Sequence, residues 1–208
     1  MRAVQQPRAL ATREKILKAA ARLFALKGYH DTKLEEVRHA AEVTTGAFFH
    51  HFGSKEDLGF SVLDRHMERR RQELEQIEQE MPPPRGDAPL ERVYRRLDAI
   101  AELVRRREHR KGGCIIGNLS TALADTHEAF RQRLADCFDE MAREFLPDLE
   151  AAARQGRPQG TLDTWTLARY LVTVIEGAIM LARTYRDRNL LARHFGCLKE
   201  YLAQNLGS

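Results

Sequence analysis

The sequence predicts an all-α protein in which a small N-terminal helical domain precedes a larger helical domain. Apolar residues recur at three- and four-residue spacing along most of the 208 residues, as on the buried face of a helix. No segment alternates apolar and polar residues in the manner of a half-buried strand. Breaker residues divide the pattern into nine helical segments.

The first three predicted helices are bounded by capping residues. Residues 12–26 form an amphipathic helix, for which Thr12 is a suitable N-cap and Gly28 a suitable stop. A short second helix follows over residues 34–41. Thr44 is a good cap for a third helix. The chain therefore begins with three helices separated by tight turns.

Most of the remaining helices are longer. Ser54, followed by lysine and two acidic residues, begins a fourth helix that runs to Met81, where three consecutive prolines end it. The run Arg69–Arg71 on this helix is interpreted as a solvated face. A loop is predicted at residues 154–160 from its glycine and proline content. Five further helices are predicted at residues 90–104, 115–124, 130–145, 163–186 and 190–205.

The helix at residues 163–186 is apolar nearly all round, so it must be covered on two faces. A chain of this size can bury one face of the helix, and the need to cover the second face favours contact with a partner chain. We predict a four-helix interface shared by two copies of the chain. The alternative is a central core helix wrapped by its own chain. The residues predicted for the dimer interface are Ala168, Leu171, Val172, Ile175, Ile179, Leu191, Phe195, Leu198 and Leu202.

Composition favours a soluble cytoplasmic protein that does not enter a membrane. Hydrophobic residues make up 43% of the chain and charged residues 31%, which is ordinary for a soluble fold. No apolar run reaches the ~18 residues of a membrane-spanning helix, and the N-terminus lacks a signal-peptide pattern. Cys114, Cys137 and Cys197 show no CxxC spacing, which argues for a reducing compartment. Residues 1–60 hold ten basic against seven acidic side chains, so most of the net charge of +4 lies there.

The stretch EVTTGAFFHHFGSK, at residues 42–55, completes the order of elements found in a helix-turn-helix. Residues 12–58 resemble the DNA-binding domain of the tetracycline-repressor (TetR) family of bacterial regulators. The run G-x-x-F/Y-x-H-F-x-x-K, here Gly46 to Lys55, is a specific signature of that family. The rest of the chain resembles it by architecture. The resemblance implies a DNA-binding domain at residues 1–54 and an effector-binding and dimerisation domain at residues 55–208.

The resemblance also implies a homodimeric repressor that leaves a palindromic double-stranded DNA operator when a small-molecule effector binds. The residue types suit this role. Hydroxyls and free N–H groups at a helix start favour phosphate, glycine permits close approach, and an aromatic ring can contact a thymine methyl group. The residues predicted to bind DNA are Arg8, Arg13, Lys33, Thr44, Thr45, Gly46, Ala47, Phe49, His50 and Lys55.

Three positions depart from the family's usual residues. Glu42 stands where the turn usually has glycine, Thr45 where lysine is common, and Phe49 where tyrosine is usual. Each change is expected to lower DNA affinity rather than prevent folding. Phe48 and Phe52 lie four residues apart and are predicted to fill the core between the helices.

Other classes of function have less support in the sequence. His50 and His51 are adjacent, so on a helix their side chains point about 100° apart, and we predict no metal site. We also predict no cofactor and no enzymatic activity, because the sequence shows no glycine-rich phosphate loop, GxSxG elbow or paired-carboxylate motif. The alternative function is an all-helical small-molecule carrier or enzyme with a basic N-terminus.

The segment KGGCIIGNLSTALAD, at residues 111–125, resembles a subgroup of the family with a G-C-x-x-x-x-L signature. Some members of that subgroup respond to electrophiles or acrylate-like acids, which makes Cys114 a candidate thiol sensor. The alternative is a small buried residue without reactivity. The residues predicted to line the effector pocket are Cys114, Asn118, Phe138, Met141, Trp165, Tyr170, Glu176 and Arg183.

Overall fold

Ten α-helices follow one another along the described residues, and those residues contain no β-strand. The computed structural model describes residues 7–82, 86, 88–107, 113–156, 163–187 and 189–206. The all-α prediction is confirmed. In chain order the helices are α1 (Pro7–Lys27), α2 (Leu34–Ala41), α3 (Thr45–His51), α4 (Lys55–Glu80), α5 (Pro89–Arg106), α6 (Ile115–Leu123), α7 (Glu128–Arg143), α8 (Leu146–Gln155), α9 (Thr164–Tyr185) and α10 (Leu190–Leu206).

The sequence predicted nine helices, and the additional one is α8. This helix carries Pro147 in its first turn. Proline is tolerated there because its φ angle already suits a helix and the first-turn N–H groups have no acceptor within the helix. Helix α1 also begins earlier than predicted. Thr12 lies inside it and donates its hydroxyl hydrogen to the Arg8 carbonyl oxygen at 2.9 Å, so the prediction that Thr12 is an N-cap is wrong.

Three of the predicted helix boundaries are confirmed by their hydrogen bonds. Gly28 ends α1 with a φ of +85°, a conformation that glycine adopts without strain. Thr44 caps α3, where its hydroxyl oxygen accepts from the Ala47 N–H at 3.2 Å. Ser54 precedes α4, and its hydroxyl oxygen accepts from the Asp57 N–H at 3.0 Å.

The chain divides into two compact units. Unit 1 comprises the described residues of Met1–Arg69 together with Ile115–Leu134, and unit 2 comprises those of Arg70–Cys114 and Ala135–Ser208. The predicted boundary after residue 54 lies inside unit 1, directly before α4. That the DNA-binding domain ends at residue 54 therefore stays a prediction.

In unit 1, α1 packs against α2, α3 and α6 around an aromatic core. The Phe130 ring stacks on Phe60 at 4.4 Å between ring centroids and meets Tyr29 edge-on at 5.2 Å. A Cβ atom on Gly59 would lie 2.6 Å from the Phe130 ring, so only glycine lets this ring approach α4 so closely. The first helices of the chain therefore share one core with the start of α7.

In unit 2, α9 packs against α8 and α10, and α5 packs against α8 and α10. This arrangement bears on the residues predicted for the dimer interface, whose role there stays a prediction. Eight of the nine predicted residues are buried inside the chain itself, because α8 and α10 cover the inner stripe of α9 and α5 covers α10. Those eight are Ala168, Leu171, Val172, Ile175, Leu191, Phe195, Leu198 and Leu202.

The ninth residue, Ile179, is half-buried. Among the described helices, α9 is the one that is long and apolar enough to cross a bilayer by length and composition, with a window of mean hydropathy 1.3. Its inner stripe is buried, which accounts for 33% of that window, and one helix of this kind does not indicate a membrane protein.

Glu42 ends α2 in the left-handed conformation, with φ 56° and ψ 47°. Its N–H donates to the His39 carbonyl at 3.1 Å and the Val43 N–H donates to the Arg38 carbonyl at 3.1 Å, so the turn closes as a Schellman motif. A side chain makes the left-handed conformation unfavourable by about 1–2 kcal/mol. Glu42, which stands where the family's turn usually has glycine, is therefore in a strained conformation.

Replacing Glu42 by glycine is expected to stabilise the protein. Relief of the left-handed strain outweighs the extra chain entropy of glycine by about 0.5–1 kcal/mol, which is about 1–4 °C in melting temperature for a protein of this size. Thermal unfolding of Glu42→Gly and Glu42→Gln measures the effect. The glutamine variant removes the charge but keeps the strained conformation, so equal melting temperatures for the two variants would contradict the strain argument.

Candidate nucleic-acid interface and effector site

Helix α3 is amphipathic, with one aromatic face in the core and the other in solvent. Phe48 and Phe52 are 0% and 1% exposed, so their predicted role in the core is confirmed. Phe49 lies between them in sequence and is 52% exposed. The outward face also carries Thr45 and His50. The short helix is therefore held by two phenylalanines and offers a polar and aromatic surface.

Most of the other residues predicted to bind DNA also lie on the surface of unit 1. Arg8 and Lys33 are exposed, as are Thr44 and Gly46, while Ala47 is half-buried in the first turns of α3. A Cβ atom on Gly46 would meet no atom within 4 Å. The start of α3 is thus open to an approaching surface.

Arg38 is a residue of this surface that the sequence analysis missed. It lies in the last turn of α2, and its Nη1 donates to the Thr45 hydroxyl at 2.6 Å. The bond ties the two helices of the motif together and brings a positive charge to the first turn of α3. A basic residue in the last turn of the first helix of a helix-turn-helix was the signal that could have indicated it.

Arg13 and Lys55 have partners inside unit 1. The Arg13 guanidinium lies 5.1 Å from the centre of the Phe52 ring and donates to Ser61 Oγ at 3.1 Å. The Lys55 ammonium lies 4.5 Å from the centre of the Tyr29 ring, and burial lowers the pKa of this lysine. Burial also raises the pKa of Tyr29 to about 12. Both cations therefore support the fold, and their contact with phosphate stays a prediction.

In unit 2, two predicted effector residues on α9 meet the segment before α6. The Glu176 carboxylate accepts a hydrogen bond from the Cys114 thiol. The Arg183 side chain lies against Gly113, where an added Cβ would be 3.3 Å from Arg183 Nη1. Glu176 and Arg183 lie seven residues apart on α9, and they contact the neighbouring residues Cys114 and Gly113 of this segment. Cys114 itself is half-buried.

Burial sets the chemistry of Glu176. It raises the pKa of this carboxyl above its ordinary value, while the Cys114 thiol and the nearby Arg70 charge act in the opposite direction. Arg70 is 6% exposed, and its Nη1 donates to Glu144 Oε1 at 2.6 Å. The interpretation of Arg69–Arg71 as a solvated face is therefore wrong for the middle residue.

The spacing of α4 could have indicated the buried position of Arg70. This arginine continues the stripe of buried apolar residues Leu63, Met67, Leu74 and Ile77 at intervals of three and four residues. A charged residue on such a stripe needs a buried partner, and here the partner is Glu144.

The remaining predicted pocket residues are dispersed. Met141 is buried and Phe138 half-buried on α7, and Asn118 belongs to unit 1. Trp165 lies with its ring 4.8 Å from the Arg169 guanidinium and 5.6 Å from that of Arg143. Tyr170 is 45% exposed and meets Tyr201 edge-on at 5.7 Å. Trp165 is thus half-buried and Tyr170 exposed in unit 2, and their place in an effector site stays a prediction.

Taken together, an outward-facing helix-turn-helix and a second helical unit with buried polar groups define a DNA-binding regulator. A family model described as "Bacterial regulatory proteins, tetR family" matches residues 16–62. A second, "Tetracyclin repressor-like, C-terminal domain", matches residues 89–196, which is more than half of the chain. The chain belongs to the TetR family of bacterial transcriptional regulators.

Individual relatives are similar over most of the length of the chain. The transcriptional repressor DhaR of Mycobacterium sp. (strain GP1) is 26% identical over 179 residues, or 86% of each chain. The repressor NemR of Escherichia coli K12 is 26% identical over 196 residues, or 92% of this chain and 94% of NemR. The crystal structure of a TetR regulator from Chloroflexus aurantiacus has a TM-score of 0.81 at 25% identity, covering 97% of this chain and 98% of that one. These similarities do not favour the alternative of a carrier or enzyme.

Glu176 is expected to make stability depend on pH. Its pKa in the folded protein is raised above the ordinary 4.5, so the folded state retains this proton and the cost of ionising the buried carboxyl is absent at low pH. Stability is therefore lost as the pH rises from about 4.5 through the folded pKa. Glu176→Gln removes this loss, and its melting temperature should rise relative to the wild type across that window.

Thermal unfolding at a series of pH values measures the difference. Glu200→Gln on α10, where the glutamate is exposed, gives the baseline for losing one carboxylate. A difference between wild type and Glu176→Gln that is constant with pH, or falls as the pH rises, would contradict the assignment.

Proposed function

We propose that this chain is a homodimeric, ligand-responsive transcriptional repressor that binds a near-palindromic operator through α3. The observation that carries the proposal is the exposed face of α3, which is anchored from behind by Phe48 and Phe52. Membership of the TetR family, and the repressors DhaR and NemR among its relatives, support the same function. A regulator of this kind works in the cytoplasm, where its operator is, and it catalyses no reaction.

The exposed face of α3 supplies the chemistry for reading DNA. Thr45 and His50 can donate to phosphate or base edges, and the Phe49 ring can contact a thymine methyl group. Gly46 keeps the helix start free of side chains, so the backbone can approach closely. Arg38 and Lys33 add positive charge beside it. Phosphate contacts fix the register, while α3 reads the sequence in the major groove.

The outer faces of α9 and α10 are the proposed dimer interface, in place of the buried stripe. Tyr170 and Met180 on α9 and Tyr201 on α10 are 45%, 62% and 40% exposed. Gly177 and Gly196 lie on the same two helices, and a Cβ on either would meet no atom within 4 Å. Two copies could therefore pack these helices closely as a four-helix interface. A dimer would present two α3 helices to successive major grooves about 34–36 Å apart.

Arg38→Ala is expected to weaken operator binding, because one phosphate contact is lost in each copy. The plot of the logarithm of the association constant against the logarithm of salt concentration should become less steep by about 1 for each copy. Arg154→Ala on α8 removes an exposed guanidinium from unit 2 and should leave binding unchanged. Fluorescence anisotropy with the DNA that flanks the chain's own gene measures both quantities and the number of chains per duplex. A wild type with almost no salt slope, or one chain per duplex, would contradict the proposed mode of binding.

The effector half carries a second proposal, that small molecules bind within unit 2 and release the operator. The G-C-x-x-x-x-L segment supports a place in the subgroup of which some members respond to electrophiles or acrylate-like acids. The contact between the Cys114 thiol and Glu176 favours the alternative of an unreactive thiol, because a neighbouring carboxylate opposes thiolate formation.

Cys114 is accordingly expected to react with N-ethylmaleimide more slowly than free N-acetylcysteine at the same pH. Mass spectrometry after limiting treatment measures its modification. Cys114→Ser should bind the operator as the wild type does, and the two proteins should release it equally under treatment. Rapid modification of Cys114, together with operator release that the serine variant lacks, would instead establish a thiol sensor.

A further inference from the structure

The positive charge of the first quarter of the chain lies on α1 and not on the helix-turn-helix motif that follows it. Helix α1 contains six basic residues and one acidic residue. Residues 28–60, which include α2 and α3, contain three basic and six acidic residues. Neutralising phosphates supplies nearly all of the sequence-independent part of DNA binding. The segment that carries α3 is therefore acidic overall, and the charge that attracts phosphate lies on α1.

Three of the charged side chains of α1 have polar partners within unit 1. Arg13 and Lys27 bond residues of α4 and α2. The acidic residue, Glu14, accepts a hydrogen bond from Arg65 Nε at 2.7 Å. This bond lowers the pKa of Glu14, and the charge of Lys18 contributes a smaller effect. The one carboxylate of α1 is thus already held by an arginine of α4.

The other four basic side chains of α1 lie on one face of the helix. All four are exposed, and none forms an ion pair within the part of the chain that the structure describes. They are Arg8, Lys15, Lys18 and Arg22. At 100° per residue they fall within about 80° of one another around the helix axis, on the side opposite the buried residues of α1. We call these four residues the basic stripe.

The basic stripe suits the backbone of a DNA duplex. Its first and last residues are fourteen positions apart, which is about 21 Å along a helix. One DNA strand carries about six phosphates over that length, since they follow one another every ~3.4 Å along the axis. Because the four cations have no acidic partner to give up, binding phosphate breaks no ion pair. The charge and the length of the stripe therefore match a phosphate backbone.

The basic stripe is also continuous with the surface proposed to bind the operator. Arg8, its first residue, is among the residues predicted to bind DNA from the sequence. Helix α1 packs against α2 and α3 in unit 1, so the stripe and the reading helix belong to one compact body. The stripe thus extends that surface along α1 by three further cations.

We infer that the basic stripe is a second DNA-binding surface, on which Lys15, Lys18 and Arg22 bind backbone phosphates of the duplex without regard to sequence. The inference rests on the proposed function and divides its two tasks between two helices. Helix α1 supplies the salt-dependent attraction, which is the same for any sequence, and α3 supplies the discrimination between sequences. Because the residues around α3 are acidic overall, a wrong sequence is held mainly through α1.

Replacing Lys15, Lys18 and Arg22 together by glutamine tests the inference on the full chain. Glutamine has nearly the same helix propensity, and the three side chains are exposed, so the melting temperature should stay the same. Anisotropy over a series of salt concentrations measures binding to two duplexes of equal length. One is the DNA that flanks the chain's own gene, and the other is a shuffled version of it.

On both duplexes the plot of the logarithm of the association constant against the logarithm of salt concentration should become less steep by about 2–3 for each copy. Both affinities should fall at least about tenfold at ~0.1 M salt, while their ratio stays within about twofold of the wild-type ratio. The matched control replaces Arg154, Arg186 and Arg193 by glutamine, which removes the same charge from exposed positions of unit 2. This control should bind both duplexes as the wild type does.

The outcomes separate this inference from the proposed function. An unchanged salt dependence in the stripe variant, a loss of affinity for the flanking DNA alone, or an equal loss in the control variant would each overturn the second surface and leave the proposed function in place. If the wild type binds both duplexes equally, the proposed operator fails, and a less steep salt dependence of the stripe variant still supports the stripe. If the wild type binds neither duplex, both proposals fail.

Discussion

The insertion of Phe48 and Phe52 into the core of unit 1 is the contact on which the DNA-binding surface depends. Helix α3 has seven residues, and a helix of that length is not stable alone in water. Two completely buried rings, the Thr44 cap and the Arg38–Thr45 hydrogen bond supply what the helix lacks. The same anchorage fixes which residues face outward, because a helix held on one side must present the other. The buried face of this short helix thus serves folding, and its exposed face is left for contact with DNA.

The N-terminal elements could be predicted from the sequence because their signals are local. Thr44, Ser54 and Gly28 act on the first or last turn of a helix, and the spacing of Phe48 and Phe52 gives the buried face directly. Glu42 could be recognised as unusual because it stands where the turn after the second helix usually has glycine. The family signature covered the same residues. These features needed no knowledge of which distant segments meet.

The second half of the chain was harder to predict because burial there depends on long-range packing. Periodicity showed that α9 is apolar but could not tell whether another copy or its own chain covers the inner stripe, and the chain itself covers it through α8 and α10. Arg70 and Glu144 are 74 residues apart and meet only in the folded chain. Tyr170 looks like a pocket residue by type, yet its side chain is exposed.

The assignment of Ile115–Leu134 to unit 1 has a consequence for modular evolution. The polypeptide passes from one unit to the other at three places, after Arg69, after Cys114 and after Leu134. A gene fusion that transplanted only the first 54 codons would leave behind Phe130, whose ring closes the core over Tyr29. Exchange of DNA-binding domains between such regulators therefore requires recombination at several of these crossing points, or compensating apolar replacements around the Phe130 ring.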